Sequence, residues 1–130
     1  MCNLGHFLPA SESEIDIAAS QRAYEQNVAW FLSPLFHGLY PQMLWEWVGP
    51  HAPKVQAEDL KLIQQPMDFL GVNYYTTERV RATTEGILKA GSEPVSAPGW
   101  DRTDMGWGIY APGLKAVLLD IARQIGRAHV

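Results

Sequence analysis

Asn73 and Tyr75 stand two residues apart in "DFLGVNYYTT", residues 68–77, at the end of an apolar run broken only by Gly71. On an extended backbone two such side chains project to the same side. An amide and a phenol sharing a face can bind hydroxyl groups or orient a carboxylate. The chain also carries five Trp, five Tyr and four Phe, so it has rigid rings to spare for stacking as well as for packing. Carboxylates, the usual acids, bases and nucleophiles of such sites, number fourteen and form no obvious pair. Glu12, Glu14 and Asp16 fit the first turn of a helix, where negative charge favours the dipole. Glu78, Glu85 and Glu93 fall in polar sequence read as loop, and Asp104 is expected to order the loop before Trp107. His6 and His37 are read as local hydrogen-bond partners. No pair of ligands has metal spacing, so no metal or other cofactor is expected. Cys2 has no neighbouring histidine to activate it.

The elements that position Asn73 and Tyr75 follow from the hydrophobic pattern. Asn3 to Leu8 reads as a strand end followed by a polar turn. Ser11 with Glu14 has capping-box spacing, which starts a helix there. Its expected apolar face is Ile17, Tyr24, Val28, Phe31 and Leu35, interrupted near Pro34. "SPLFHGLYP" then reads as a loop. Pro41 and Gly49 bracket a short helix over "QMLWEWV", on which Trp45 and Trp47, like Trp30 before them, read as packing or surface anchors. A turn of helix is expected around Asp59 to Ile63. "DFLGVNYY" lacks strict alternation, as a strand buried on both faces does. Residues 84–104 read as a long loop with a weak strand before it at Arg79 to Ala82. The last helix is expected from about Pro112 to Gln124, with Leu114, Val117, Leu118 and Ile121 on its apolar face.

Strands alternating with helices imply parallel βα units. Two evident parallel strands cannot bury a sheet alone, so the pattern makes sense as an arc of a larger (β/α)8 barrel. In such a barrel the C-terminal strand ends face the site, which puts Asn73 to Tyr75 at the site and Asp68 at the structural end. At 130 residues with a net charge of −4, the chain has room for one domain and no basic block to neutralise phosphates. No stretch approaches the ~20 apolar residues of a membrane span, and no signal peptide is visible. With one cysteine, a reducing, cytoplasmic setting is expected and nucleic-acid or membrane partners are not.

Four segments carry a family resemblance. "DFLGVNYYT" resembles the sixth-strand motif of family 1 glycoside hydrolases, the β-glucosidase family. "WFLSPLFHGLYP" is similar to that family's W-F-[LM]-D-P-[LI]-x-x-G-x-Y-P, and "TDMGWGIYAPGLKAVL" to its T-D-M-G-W-x-[IV]-x-P-x-G-L. "NLGHFLPAS" resembles the residues just after its fifth strand. The motifs occur in the family's order across residues 1–124, and they imply a (β/α)8 barrel segment, not closed, from about the end of strand 5 through helix 6.

The resemblance implies a parent enzyme that hydrolyses terminal β-D-glycosides with retention, using two carboxylates ~5–5.5 Å apart. The family's acid/base motif, T-[FL]-N-E-P, and its nucleophile motif, [IV]-T-E-N-G, both lack a counterpart in this chain. The chain alone is therefore expected to be inactive. What it is expected to supply is a binding wall for a β-glucoside or related small saccharide. Tyr75 matches the tyrosine that donates to the nucleophile carboxylate, and Asn73 an amide near the sugar hydroxyls. Trp107 matches the tryptophan stacking on the leaving-group side, and Asn3 a strand-five asparagine near that outer subsite.

Two departures qualify the match: Ser33 replaces a common Asp, and "YAPGL" shifts a helix start. Asn73 stands where the branch acting on 6-phosphorylated sugars often has Ser, which favours an unphosphorylated glycoside. The final "IGRAHV" is also what one frame of a common sequencing adapter, ATC-GGA-AGA-GCA-CAC-GTC, encodes, so Ile125 to Val130 are expected to be a non-native tail. Two rival readings remain: a small non-catalytic carbohydrate-binding module using Tyr74, Tyr75 and Trp107 as a stacking platform, and an orphan fragment with no function.

Overall fold

The computed structural model describes residues 2–84 and 91–128 of the chain. Five short strands and five helices follow the order β1 (Cys2–Asn3), β2 (His6–Pro9), α1 (Glu14–Tyr24), α2 (Trp30–His37), α3 (Gln42–Val48), α4 (Ala57–Ile63), β3 (Val72–Asn73), β4 (Thr77–Ala82), β5 (Ser92–Val95) and α5 (Ala111–Ala128). A π-helical turn, Glu25–Ala29, joins α1 to α2. β1 and β3 pair in parallel, Asn3 beside Asn73. β2 continues in parallel along β4, and β5 adds an antiparallel edge. The two parallel pairs are one path: the chain segment 2–9 runs beside the segment 72–80, with a break in pairing at Leu4–Gly5 and Tyr74–Thr76. Parallel neighbours joined through an intervening run of helices are the βαβ arrangement expected of a barrel segment.

Several sequence expectations need correction. There are five strands among the described residues rather than two: the expected first strand is split into β1 and β2, the weak strand expected at Arg79 to Ala82 is the full strand Thr77–Ala82, and Ser92–Val95 lies within the expected loop. The exposed position of β4 is the charged Arg81 and that of β5 is Pro94, which hides the strand pattern from a hydrophobic reading. Glu85 falls outside the described residues. Helix α1 starts two residues late: Ser13 is the N-cap and accepts from the Asp16 N–H at 3.3 Å. "SPLFH" continues a helix instead of forming a loop, with Pro34 inside α2. The preceding π-turn adds a residue to the helical path, so the face that reaches the core is Val28 and Leu32, while Phe31 is 54% exposed. Gly38, at φ 63°, is the left-handed residue that ends α2. The last helix runs on to Ala128.

The core shows why these elements hold their positions. Leu4, Val28, Leu32, Val117 and Ile121 form a buried cluster, with Phe7, Tyr24, Phe36, Leu70, Val72, Tyr74 and Ile125 packed against it. Thus β1, β3, the α2 region and α5 meet in one layer. α1 lies on the β2–β4–β5 sheet, where Ala19 and Ala23 are buried. Small side chains there let the helix approach closely, which explains why Ile17, the larger residue expected inward, is exposed. Of the four apolar positions expected on the last helix, Val117 and Ile121 are buried, but Leu114 and Leu118 stay exposed.

Helix α3 has Pro41 at its N-cap and therefore no side-chain cap of its own. Glu25, buried in the π-turn, fills the role from outside: its Oε2 accepts from the Leu44 N–H at 2.6 Å. This satisfies one of the N–H groups that every helix start leaves open. Trp30, Tyr40 and Trp45 form a ring trio on the same side, with centroids 4.7–5.9 Å apart. Trp47 carries the Arg22 guanidinium over its face at 4.4 Å. No helix among the described residues is long and apolar enough to cross a membrane.

Candidate binding wall at the strand ends

The four residues singled out from the sequence fall into two touching pairs. Parallel register sets Asn3 beside Asn73, and the Asn73 amide donates to Asn3 Oδ1 at 2.9 Å. Tyr75 and Trp107 meet at 5.7 Å between ring centroids, tilted by 58°. Both rings face outward, with Tyr75 56% and Trp107 40% exposed. Asn3 and Tyr75 line one cavity of about 150 Å³, together with Phe7, Asn27, Thr76 and Glu78. Trp107 lines a larger one of about 430 Å³ with Trp100, Arg102 and the β4 backbone.

The neighbouring residues explain why Tyr75 points out. Tyr74, its neighbour on the opposite side of the backbone, is partly buried and fixed through its hydroxyl. That oxygen lies 2.7 Å from Thr77 Oγ1 and donates to the Tyr110 carbonyl at 2.9 Å. A three-ring platform of Tyr74, Tyr75 and Trp107 is therefore not what the fold builds; the exposed platform has two rings. Gly113, in the first turn of α5, sits directly on this knot. A Cβ added there would lie 2.0 Å from Thr77 Oγ1 and 2.2 Å from the Tyr74 oxygen, so only glycine lets α5 dock.

The Trp107 loop is ordered by Thr103, not by Asp104. Thr103 Oγ1 accepts from the Trp107 N–H at 3.2 Å, and the Thr103 N–H donates to the Trp107 carbonyl at 2.9 Å. Arg102 closes the loop by donating to the Gly106 carbonyl at 2.8 Å and to Ser96 Oγ at 3.2 Å. Trp100 stacks on Tyr110 at 4.4 Å. Thr76 adds a bond from its hydroxyl to the Gly108 carbonyl at 2.9 Å. Side chain to backbone bonds of this kind rigidify a surface that loops alone would leave adjustable.

Both histidines have local partners. His6 Nδ1 lies 3.1 Å from Thr77 Oγ1, and burial holds its pKa below the usual imidazole value. His37 Nε2 lies 2.8 Å from Gln124 Oε1. Gln124 also donates to the Tyr24 hydroxyl, which in turn donates to Asp120 at 2.5 Å. Burial first, then that carboxylate, raises the Tyr24 pKa. Asp16 is bound by the Ser11 hydroxyl and the Ala82 N–H, which keep its pKa low. No group of three His, Cys, Asp or Glu that could hold a metal exists among the described residues.

Glu78 is the residue that sequence reading missed. Far from a loop, it lies in β4, half-buried, and desolvation raises its pKa. Its parity with Val80, which is 2% exposed, was the available signal: positions two apart in a strand share a face.

Adjacent parallel strands with helices packed outside them form an open piece of an α/β barrel, with the two-ring platform and the amide pair beside the C-terminal strand ends. Comparison with known proteins gives the family. The model of glycosyl hydrolase family 1 matches residues 1–130. A β-glucosidase of Agrobacterium sp. is 39% identical over 112 residues, which are 85% of this chain and 24% of that protein. The structure of the family 1 β-glucosidase from Thermotoga maritima superimposes with a TM-score of 0.82 at 32% identity, covering 93% of this chain and 27% of that one. The AHE enzyme from Alicyclobacillus herbarius gives a TM-score of 0.86 at 32% identity, covering 97% and 28%. The chain belongs to glycosyl hydrolase family 1, and it spans about a quarter of the length of these relatives.

Proposed function

We propose that this chain is the portion of a retaining β-glycosidase barrel from about the end of strand 5 through helix 6, and that it supplies one wall of the glycoside site. Tyr75 donates toward the nucleophile carboxylate, Trp107 stacks on the leaving-group side, Asn73 presents its amide to the sugar hydroxyls, and Asn3 lies toward the outer subsite. The observation that carries this reading is the outward-facing contact of Tyr75 with Trp107, beside the bonded amides of two parallel strands. Its chemistry is positioning. A phenol donor at Tyr75 suits a carboxylate nucleophile, since a donated bond stabilises the charged form. A retaining mechanism needs two carboxylates ~5–5.5 Å apart. Asp16 is engaged by Ser11 and Ala82 and Glu25 by Leu44, so neither is available as nucleophile or acid/base. The substrate class of the whole enzyme is a terminal, unphosphorylated β-D-glycoside such as a β-glucoside.

The reading is tested by assay and titration on the 130-residue chain. No hydrolysis of an aryl β-glucoside is expected, together with weak saturable binding of the same glucoside that Trp107→Ala abolishes. Turnover above the uncatalysed rate would overturn the assignment of this chain to a wall without acid/base or nucleophile. Absence of any glycoside binding would overturn the wall itself.

A further inference from the structure

Three side chains meet behind the strand-end surface, where the strand pairing breaks. Parallel register sets His6 beside Thr77, and Tyr74 reaches the same hydroxyl across the unpaired stretch Tyr74–Thr76. Thr77 is 2% exposed, so water does not complete its bonding and the protons can be counted. A carbonyl only accepts, so the Tyr74 hydroxyl spends its one proton on the Tyr110 carbonyl at 2.9 Å. The 2.7 Å contact between Tyr74 and Thr77 Oγ1 then runs from Thr77 to Tyr74. Thr77 has no proton left, which makes the 3.1 Å contact with His6 Nδ1 a bond that His6 donates. Burial holds the His6 pKa low, so near pH 7 its ring is neutral and carries a single proton. Its partner decides which nitrogen holds that proton, and here it is Nδ1. Chained donors of this kind polarise one another in a buried setting. The far end of the chain is Tyr110, whose ring lies parallel to that of His6 at 6.4 Å and stacks on Trp100 at 4.4 Å. Along the strand, fixing Tyr74 also sets the direction in which its neighbour Tyr75 projects.

We propose that His6 is a positioning residue: as its Nδ1–H tautomer it heads a one-way hydrogen-bond chain through Thr77 and Tyr74 to the Tyr110 carbonyl, and this chain braces the binding wall from behind. The bracing role rests on the binding-wall reading above, whereas the chain itself does not. Nitrogen-15 spectra of the 130-residue chain at about pH 8, above the imidazole range, test it, with the His6 signals identified by their loss in His6→Gln. The wild type is expected to show Nδ1 protonated and Nε2 bare. Tyr74→Phe removes a hydroxyl that bonds no atom of His6, yet it frees the Thr77 proton to turn toward Nδ1. The His6 proton is then expected to move to Nε2. Thr77→Ser keeps the hydroxyl and is expected to keep the wild-type tautomer. Phenyl β-glucoside affinity, followed by ligand-observed NMR, should fall about fivefold in Tyr74→Phe, the equivalent of one net hydrogen bond, and hold in Thr77→Ser. Circular dichroism confirms that each variant retains its helices. An Nε2–H tautomer in the wild type, or a tautomer unmoved by Tyr74→Phe, overturns the chain. A tautomer that moves while affinity does not overturns the bracing role alone. If the wild-type chain binds no glucoside, wall and bracing role fall together, and the tautomer still decides the chain.

Discussion

The two ends of the strands are built differently. At the C-terminal end, Tyr74, Thr76, Thr103 and Arg102 all spend side-chain hydrogen bonds on the loops that hold Trp107 and Tyr110. At the other end, Leu35, Phe36, Gln64 to Leu70 and Ile125 line an open groove of about 450 Å³. There Phe69 is 86% and Met67 42% exposed, and Leu62 of the preceding α4 is 76% exposed. The first end is fixed by directional bonds, as a binding wall must be if it is to hold a ligand in one geometry. The second is an apolar surface with too few partners in this chain, the kind of patch that drives association. The contrast teaches that the surface at the C-terminal strand ends is tied together within this chain, while its hydrophobic packing is not complete.

The largest test of that contrast is the core on which both ends depend. Leu32 is fully buried in α2 against α5 and β1. Leu32→Ala is expected to cost about 2–5 kcal/mol, read by urea unfolding followed by far-UV circular dichroism. A loss below about 1 kcal/mol, the range of tolerated swaps, would show that the helical layer is loosely packed and that the apolar deficit reaches inward. Gly113→Ala probes the fixed end alone. The added methyl would collide with Thr77 Oγ1 and the Tyr74 oxygen, with a cost of about 1–3 kcal/mol for overpacking. It should also release the Tyr74 hydroxyl from Tyr110 and loosen the Tyr75–Trp107 contact, seen as a red shift of tryptophan fluorescence. An unshifted spectrum with undiminished stability would mean that α5 does not clamp the wall.

Glu25→Ala comes next. It strips the buried acceptor from the Leu44 N–H, and an unsatisfied buried donor costs about 1–3 kcal/mol. Hydrogen exchange at Leu44 should rise with it, whereas exchange at Thr103 and Trp107, on the strand-end side, should not. Acid provides a milder perturbation of the same tertiary ties. Asp16 holds the Ala82 N–H and the start of α1, and these bonds keep its pKa below the ordinary carboxylate value. A group with a depressed folded pKa stabilises above its unfolded pKa and loses that contribution as pH falls through the folded value. Stability should thus decline on acidification below about pH 4, and Asp16→Asn should flatten that decline, as followed by thermal melts across pH.

How much of this could be read in the sequence divides along the same line. Asn3, Asn73, Tyr75 and Trp107 stand out in the sequence through spacing and motif context, and the fold sets them in two touching pairs. Asp104 was the wrong organiser of its loop, since the hydroxyl of Thr103 forms the turn and both residue types favour turns. The π-turn at Glu25–Ala29 was invisible. It shifts the 3.6-residue count, so Phe31 was placed inward and Leu32 was not. β5 was missed because Pro94 sits in it on a sheet edge, the one place a strand tolerates proline. Glu78 was missed because only Arg79 to Ala82 reads as a strand in the sequence, whereas β4 begins two residues earlier, at Thr77.

The smallest expected change in stability belongs to the open groove and the exposed α4 residue before it, and it sharpens the comparison most. Phe69 and Leu62 are exposed and make no contribution to the buried cluster. Replacing both with Ser should alter unfolding free energy within about 0.5 kcal/mol per site, the range for surface positions free of special roles. Association should respond far more. The wild-type chain is expected to self-associate with rising concentration, through the groove and through the unpaired outer edges of β1 and β3. Sedimentation of the double variant should then show a shift toward monomer, with binding at Tyr75 and Trp107 unaffected. A wild-type chain that sediments as monomer at all concentrations would mean that the groove is covered from within, and that the two ends differ in chemistry without differing in completeness.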